Sequence, residues 1–201
     1  MGEADAGDAD WPVDLSGVTE SVVTTLGPND RWNVAALGVF APEDGGPATA
    51  TTWGRTRTWR NFTERGAGYV QFTRDPVDFV DAACSVREAD EPVLDSADAW
   101  ARVDVAAIDE GDRGGTQWVE WELRPVESAV ERRVVPTTNR GYYAVIEATV
   151  AVSRLDVPEY DTDELLARID YFESVVDRCG GDREQVAFER LREYADLSLD
   201  Q

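Results

Sequence analysis

Glu20-Ser21-Val22-Val23-Thr24-Thr25-Leu26, a break at Gly27-Pro28-Asn29-Asp30, and then Trp32-Asn33-Val34-Ala35-Ala36-Leu37-Gly38-Val39-Phe40 decide how this chain folds. The first run is β-branched, the break is made of turn formers and the second run is apolar, so the three read as a β-hairpin. Ala41 to Pro47 is then a loop and Ala48 to Trp53 a third strand. Thr58 to Arg65 reads as a helix stopped by Gly66, and Tyr69 to Thr73 as a fourth strand. Asp75-Pro76 has the form of an N-cap with proline at the first helical position, opening a helix to about Ala83. Ala99 to Ile108 alternates with period two, and a Gly111–Gly115 loop, GDRGG, separates it from Gln117 to Val126. Tyr142 to Val152, YYAVIEATVAV, reads as a further strand. Six or seven strands with few helices predict a mainly β (α+β) fold, a closed or split antiparallel barrel, because closure removes exposed strand edges.

The end of the chain changes period. Asp161 to Arg178 carries Leu165, Leu166, Ile169, Phe172, Val175 and Val176 at helical spacing, and Asp182 to Leu197 repeats the pattern after Gly180-Gly181. This predicts a C-terminal helical hairpin. The expected organisation is a disordered acidic arm over residues 1–16, a barrel over 17–153 and the helical hairpin over 154–201, the arm because its small acidic residues offer little apolar area to offset ordering entropy.

Composition excludes much chemistry. The chain has no lysine and no histidine, so all 19 basic residues are arginine against 41 acids, a formal net charge of -22. Histidine relays, histidine-ligated zinc, lysine Schiff bases and Walker-type phosphate lysines are all ruled out. The charge repels phosphate backbones and predicts no nucleic-acid partner. Acids spread along the whole chain look like adaptation to a salt-saturated cytoplasm, where a Debye length of about 3 Å at molar salt screens self-repulsion. No run approaches a membrane span and the acidic start lacks a signal-peptide layout, so a cytoplasmic protein with no membrane partner is expected. Cys84 and Cys179 form no CxxC pair. They are expected as buried free thiols, with no metal site.

The densest functional signal is Gly54-Arg55-Thr56-Arg57-Thr58-Trp59-Arg60-Asn61-Phe62. Three arginines in six residues, with two threonines and a helix start, make a local positive island that reads as an oxyanion site. A solvated charged turn whose arginines pair with surface acids is the competing reading. Trp53 and Trp59 suit a ligand that carries both a phosphate and a flat ring. A second cluster, Pro136 to Tyr143, places Asn139 and Arg140 before the expected last strand; a polar turn explains it as well. Glu147 within that strand is either a buried carboxylate or an outward salt-bridge partner.

At these residues the sequence resembles the mostly archaeal flavoprotein-like family catalogued as domain of unknown function 447. The matching pieces are Glu20 to Thr25, Asn33 to Val39, Arg57-Thr58-Trp59-Arg60-Asn61, Asp75-Pro76 with Phe79, Ala99-Trp100, Asn139-Arg140 and Ala144 to Ala148. The resemblance implies an FMN-binding split β-barrel that forms a homodimer, followed by the helical segment. It implies that Arg55, Arg57, Thr58 and Asn61 hold the FMN phosphate, that the backbone of Ala36, Leu37 and Gly38 lines the isoalloxazine edge, and that Asn139 and Arg140 reach the cofactor from the same or the partner subunit. Tyrosine is commoner in the family where Trp59 stands, and the arm and the GDRGG loop look like additions. The function expected is that of an FMN-dependent oxidoreductase of unknown substrate. The alternatives are a non-catalytic flavin or phosphate-ligand module or sensor, and an interaction protein that has lost the cofactor.

Overall fold

The expected hairpin forms β1 (Val18–Leu26) and β2 (Trp32–Phe40), antiparallel along their whole length with Val22 opposite Ala36. They belong to a computed structural model that describes residues 9–42 and 46–199. The chain divides into two units, one comprising the residues up to Arg74 with Glu88–Val134, the other Asp75–Arg87 with Val135 onward.

The first unit is the barrel. β3 (Ala48–Trp53), β4 (Ala67–Thr73), β6 (Ala97–Arg113) and β7 (Thr116–Val130) join the hairpin in the closed order β1-β4-β6-β7-β3-β2-β1, every pairing antiparallel, and the short β5 (Arg87–Ala89) sits on the outer edge of β2. Alternate residues point inward, and Val23, Val39, Ala50, Val70, Ala101, Val103, Val119 and Leu123 fill the interior with Trp121. The Trp121 Nε1–H is satisfied inside by the Thr52 hydroxyl at 2.8 Å. The barrel is split on one side: among the described residues β2 pairs with β3 only at Val39–Ala50 and Phe40–Thr49. Below Gly38 the two strands part.

Two expectations for this unit need correction. β6 runs on to Arg113, so Gly111, Asp112 and Arg113 are strand, and the turn is Gly114-Gly115 alone. Their φ values of 62° and 83° supply the two positive φ angles that a type I′ hairpin turn requires. Residues 1–8 of the expected arm lie outside the described residues, but from residue 9 the chain is tied down. Ala9 N donates to Pro125 O at 3.1 Å, and the Trp11 ring meets Phe72 edge-on at 6.2 Å. Trp11 and Leu15 pack on the barrel core, giving this stretch the apolar area that its acidic neighbours conceal in a composition count.

The second unit is helical: α2 (Pro76–Cys84), α3 (Arg140–Val152), α4 (Thr162–Cys179) and α5 (Asp182–Leu199). The expected hairpin α4–α5 is present, but α2 and α3 share its core through Val77, Val80, Val145 and Ala148 against Ile169, Val176, Phe188 and Leu191. The strand expected over Tyr142–Val152 is therefore a helix, and the barrel ends before residue 135 rather than at 153. The reason lies in spacing. Gly141, Ala144, Val145, Ala148, Thr149, Ala151 and Val152 are buried, a helical stripe of small and β-branched residues that tertiary packing selects over their strand propensity. Glu147 accordingly lies on the exposed face of α3, 3.6 Å from Arg168 of α4.

Gly141 lets the start of α3 meet the end of α4, since a Cβ there would come within 2.6 Å of the Gly180 nitrogen. Gly141→Ala is expected to destabilise the helical unit by about 1–3 kcal/mol, the usual cost of overpacking a tight contact. Guanidinium unfolding followed by far-ultraviolet circular dichroism in molar KCl checks this, and an unchanged midpoint would mean that the backbones part freely. Cys84 and Cys179 are free thiols, half-buried at the edge of this core. Burial first, and then the negative charge of Asp81, push the Cys84 thiol up to about 12. It is protonated at any physiological pH.

Candidate functional site

The arginine turn is held by its own local chemistry. β3 ends at Trp53, and Gly54, with φ of 70°, turns the chain away while its N–H donates to Gln117 O at 2.7 Å. Thr56 then caps α1 (Arg57–Arg65) by accepting from Trp59 N at 3.2 Å, and Gly66 in the left-handed conformation ends it. The Arg60 N–H bonds to Thr56 O. With Trp59 and Arg60 thus bonded, the N–H groups of Arg57 and Thr58 remain as first-turn donors that a helix cannot satisfy internally. These donors and the positive end of the helix favour an anion.

The buried face of α1 carries Thr58, Asn61 and Phe62. Phe62 packs edge-to-face on Trp121 at 5.4 Å. The Asn61 amide is 1% exposed and donates to Thr25 at Oγ1 (2.9 Å) and at O (3.3 Å), tying α1 to β1. Thr58 Oγ1 accepts from Asn33 Nδ2 of β2 at 3.3 Å, leaving the hydroxyl proton for another acceptor. The exposed face carries the charges. Arg55 Nε donates to the neutral Gln117 Oε1 at 3.3 Å, and its guanidinium lies 5.8 Å from the centre of the Trp59 ring. Arg57 Nη1 pairs with Glu88 Oε1 at 2.7 Å.

Beside this turn lies an open cleft of about 790 Å³ lined by Gly54, Arg55, Gln117, Thr116 and the hairpin-tip residues Glu110, Gly111, Asp112 and Gly115. Trp53, half exposed, flanks the same strand end. Trp118 is opposite Trp53 in β7 and its ring covers Gly111, where any Cβ would clash at 2.8 Å.

The predicted residues thus fall into groups. Arg55, Arg57, Thr58 and Asn61 share the turn and α1, while Ala36, Leu37 and Gly38 lie on β2 where it departs from β3. Leu37 faces the core, and its carbonyl accepts from Ser21 Oγ at 2.6 Å. Asn139 and Arg140 belong to the helical unit instead. Asn139 Oδ1 caps α3 by accepting from Gly141 N at 2.8 Å, and Arg140 is exposed in its first turn. The sequence reading missed Glu88, Gln117 and the wall formed by Glu110 and Asp112. Glu110, Asp112 and Gln117 enter through pairing along the β6–β7 hairpin, and Glu88 through β5, 31 residues beyond Arg57, so no local sequence pattern marks them. Among the described residues no group of three acids or cysteines is placed to hold a metal, and no helix is long and apolar enough to cross a membrane.

The fold has solved counterparts. An FMN-bound protein from Methanosarcina mazei superposes with a TM-score of 0.76 at 24% identity, over 90% of this chain and 96% of that chain. The flavin reductase of a styrene monooxygenase from Pseudomonas putida S12 (11% identity, TM-score 0.43) matches over 60% of this chain and 93% of its own. Component B of a nitrilotriacetate monooxygenase from Bacillus cereus (14%, 0.45) matches over 61% and 74%. The first shows the fold; the other two are too distant to add to it. Two family models match the sequence itself, the N-terminal domain of a protein of unknown function, DUF447, over residues 19–132, and its companion DUF447 domain over 139–193. The first span takes in the barrel together with α2 and the second takes in α3, α4 and much of α5, and on that coverage the chain belongs to the DUF447 family.

Proposed function

We propose that this chain binds FMN, with the phosphate at the arginine turn, and that it works as an oxidoreductase and a homodimer in a high-salt cytoplasm. The observation that carries the reading is the exposed Arg55, bonded to a neutral glutamine instead of a carboxylate, beside the unsatisfied first turn of α1 and an open cleft. The FMN-bound state of the Methanosarcina mazei protein of the same fold supports it.

The residues present fit the group. Arg55 and Arg57 supply guanidinium forks and the N–H groups of Arg57 and Thr58 supply backbone donors, while the buried Thr58 hydroxyl, bonded to Asn33, helps to hold α1 in place. Asn61, its amide committed to Thr25, positions α1 rather than touching phosphate. The β2 backbone at Ala36–Gly38, which among the described residues does not pair with β3, is the candidate partner for the polar edge of a flat ring. Asn139 is occupied as the cap of α3. Bound flavin supplies hydride or single-electron transfer, chemistry that needs neither histidine nor lysine. The protein's part is to bind, orient and set the electrostatics.

The visible absorption spectrum of protein purified in molar KCl, followed by titration with FMN and riboflavin, tests the reading. A flavin spectrum with FMN bound far more tightly than riboflavin is the expected result. A folded, colourless protein indifferent to both ligands would overturn it and leave the barrel as an interaction module.

A further inference from the structure

Glu88 gathers donors from across the barrel unit. Besides Arg57 Nη1 at 2.7 Å on Oε1, its Oε2 lies 3.5 Å from Arg31 Nε and 3.2 Å from Asn29 Nδ2. Arg31 also pairs with Asp90 at 2.9 Å. An isolated pair at the surface would contribute almost nothing. This carboxylate, however, stands on β5, and the strap that follows β5 is anchored. Gln71, wholly buried, donates Nε2 to Pro92 O at 3.0 Å and accepts from Leu94 N at 2.7 Å, and its Nε2 also lies 3.2 Å from the Thr24 hydroxyl. The strap following β5 is thereby pinned on β1 and β4, and Glu88, 27% exposed, is held against the arginine that the phosphate reading requires.

We infer that Glu88 is a tethered competitor for Arg57, a specificity-determining residue that makes the site accept a dianionic phosphate monoester and refuse monoanions such as chloride. The inference rests on the phosphate reading above. A carboxylate fixed beside the guanidinium has a high effective concentration there, so a free ion of the same charge gains nothing by displacing it. A phosphate monoester carries up to two charges and three strong acceptor oxygens, and it meets Arg55 and the α1 N–H groups at the same time. In a salt-rich medium an arginine turn without such a guard would fill with chloride.

The test is a flavin titration of the full chain as wild type, Glu88→Gln and Arg57→Ala. It is run at one ionic strength, in KCl and in potassium glutamate, with inorganic phosphate as a competitor. In glutamate, Glu88→Gln is expected to bind FMN about three- to tenfold more tightly, the scale set by removing one partly screened like charge at short range. That gain disappears in KCl, inorganic phosphate competes better than against wild type, and riboflavin affinity does not move. FMN affinity of Glu88→Gln equal to or below wild type in both salts would overturn the inference. A parallel fall for FMN and riboflavin would do so too, by showing a purely structural role. Arg57→Ala separates the two levels of argument. If it leaves the ratio of FMN to riboflavin affinity unchanged, the phosphate reading itself fails; if it lowers that ratio while Glu88→Gln does not raise it, only the competitor role fails.

Discussion

Replacing Arg55 and Arg57 together by alanine is expected to weaken FMN binding about a hundredfold while leaving riboflavin affinity within about twofold, since a hydrogen bond to a charged group contributes about 1.5–3 kcal/mol and molar salt reduces the sum of two. The fold gives little reason for collateral damage. Arg55 bonds to neutral Gln117 and lies over Trp59 at the surface, so its loss leaves no buried charge. Arg57 leaves behind Glu88, which keeps Arg31 and Asn29 as partners. The abandoned carboxylate would add repulsion toward an incoming phosphate, deepening the effect on FMN and not on riboflavin. Equilibrium titration by flavin fluorescence in molar KCl, with thermal unfolding as a control, makes the measurement. Equal losses for both ligands would remove the phosphate from this turn.

Phe62→Ala is expected to cost about 3–5 kcal/mol, the range for removing a fully buried aromatic side chain. Phe62 is 1% exposed, contacts Trp121 edge-on at 5.4 Å, and is the fully buried apolar anchor of α1 in the barrel core, beside the partly buried Trp59. Gly68 is shaped to it, since a Cβ there would lie 3.1 Å from the Phe62 ring. The cavity left behind could not collapse easily, because the barrel closes around it. The same substitution loosens the first turn of α1, so FMN affinity should fall with stability, unlike the arginine variants, which separate the two. Denaturant unfolding monitored by tryptophan fluorescence gives the stability change. A loss below 1 kcal/mol would show that Asn61 and Thr58 alone hold the helix.

Elements with their own punctuation were legible in the sequence. Turn residues Gly27 to Asp30 announced β1 and β2, Gly66 announced the end of α1, and Asp75-Pro76 announced α2, each by a local backbone preference that needs no tertiary partner. The GDRGG turn was legible only in outline, because any of its three glycines can supply positive φ and pairing along β6 and β7 selects Gly114-Gly115. Tyr142–Val152 was misread because its β-branched residues serve a strand or a buried helix equally well. The choice fell to Ile169, Val176 and Leu191, distant partners that accept a helical stripe.

The candidate site divides along the same line. Composition alone removed histidine and lysine chemistry, and the spacing of Arg55, Thr56, Arg57 and Thr58 alone marked a positively charged helix start as the candidate anion site, since charge at a helix start acts within a few residues. Which of those side chains face solvent was decided by packing: Asn61 and Thr58 turn inward to Thr25 and Asn33, while Arg55 and Arg57 remain outside. Glu88, 31 residues beyond Arg57 in the chain, became part of the candidate site only through β5 and the strap after it, which Gln71 holds at Pro92 and Leu94. Local propensity acts over a few bonds and can be read from the chain, but charge pairing and burial act through space, and closing the barrel is what brings those partners within reach.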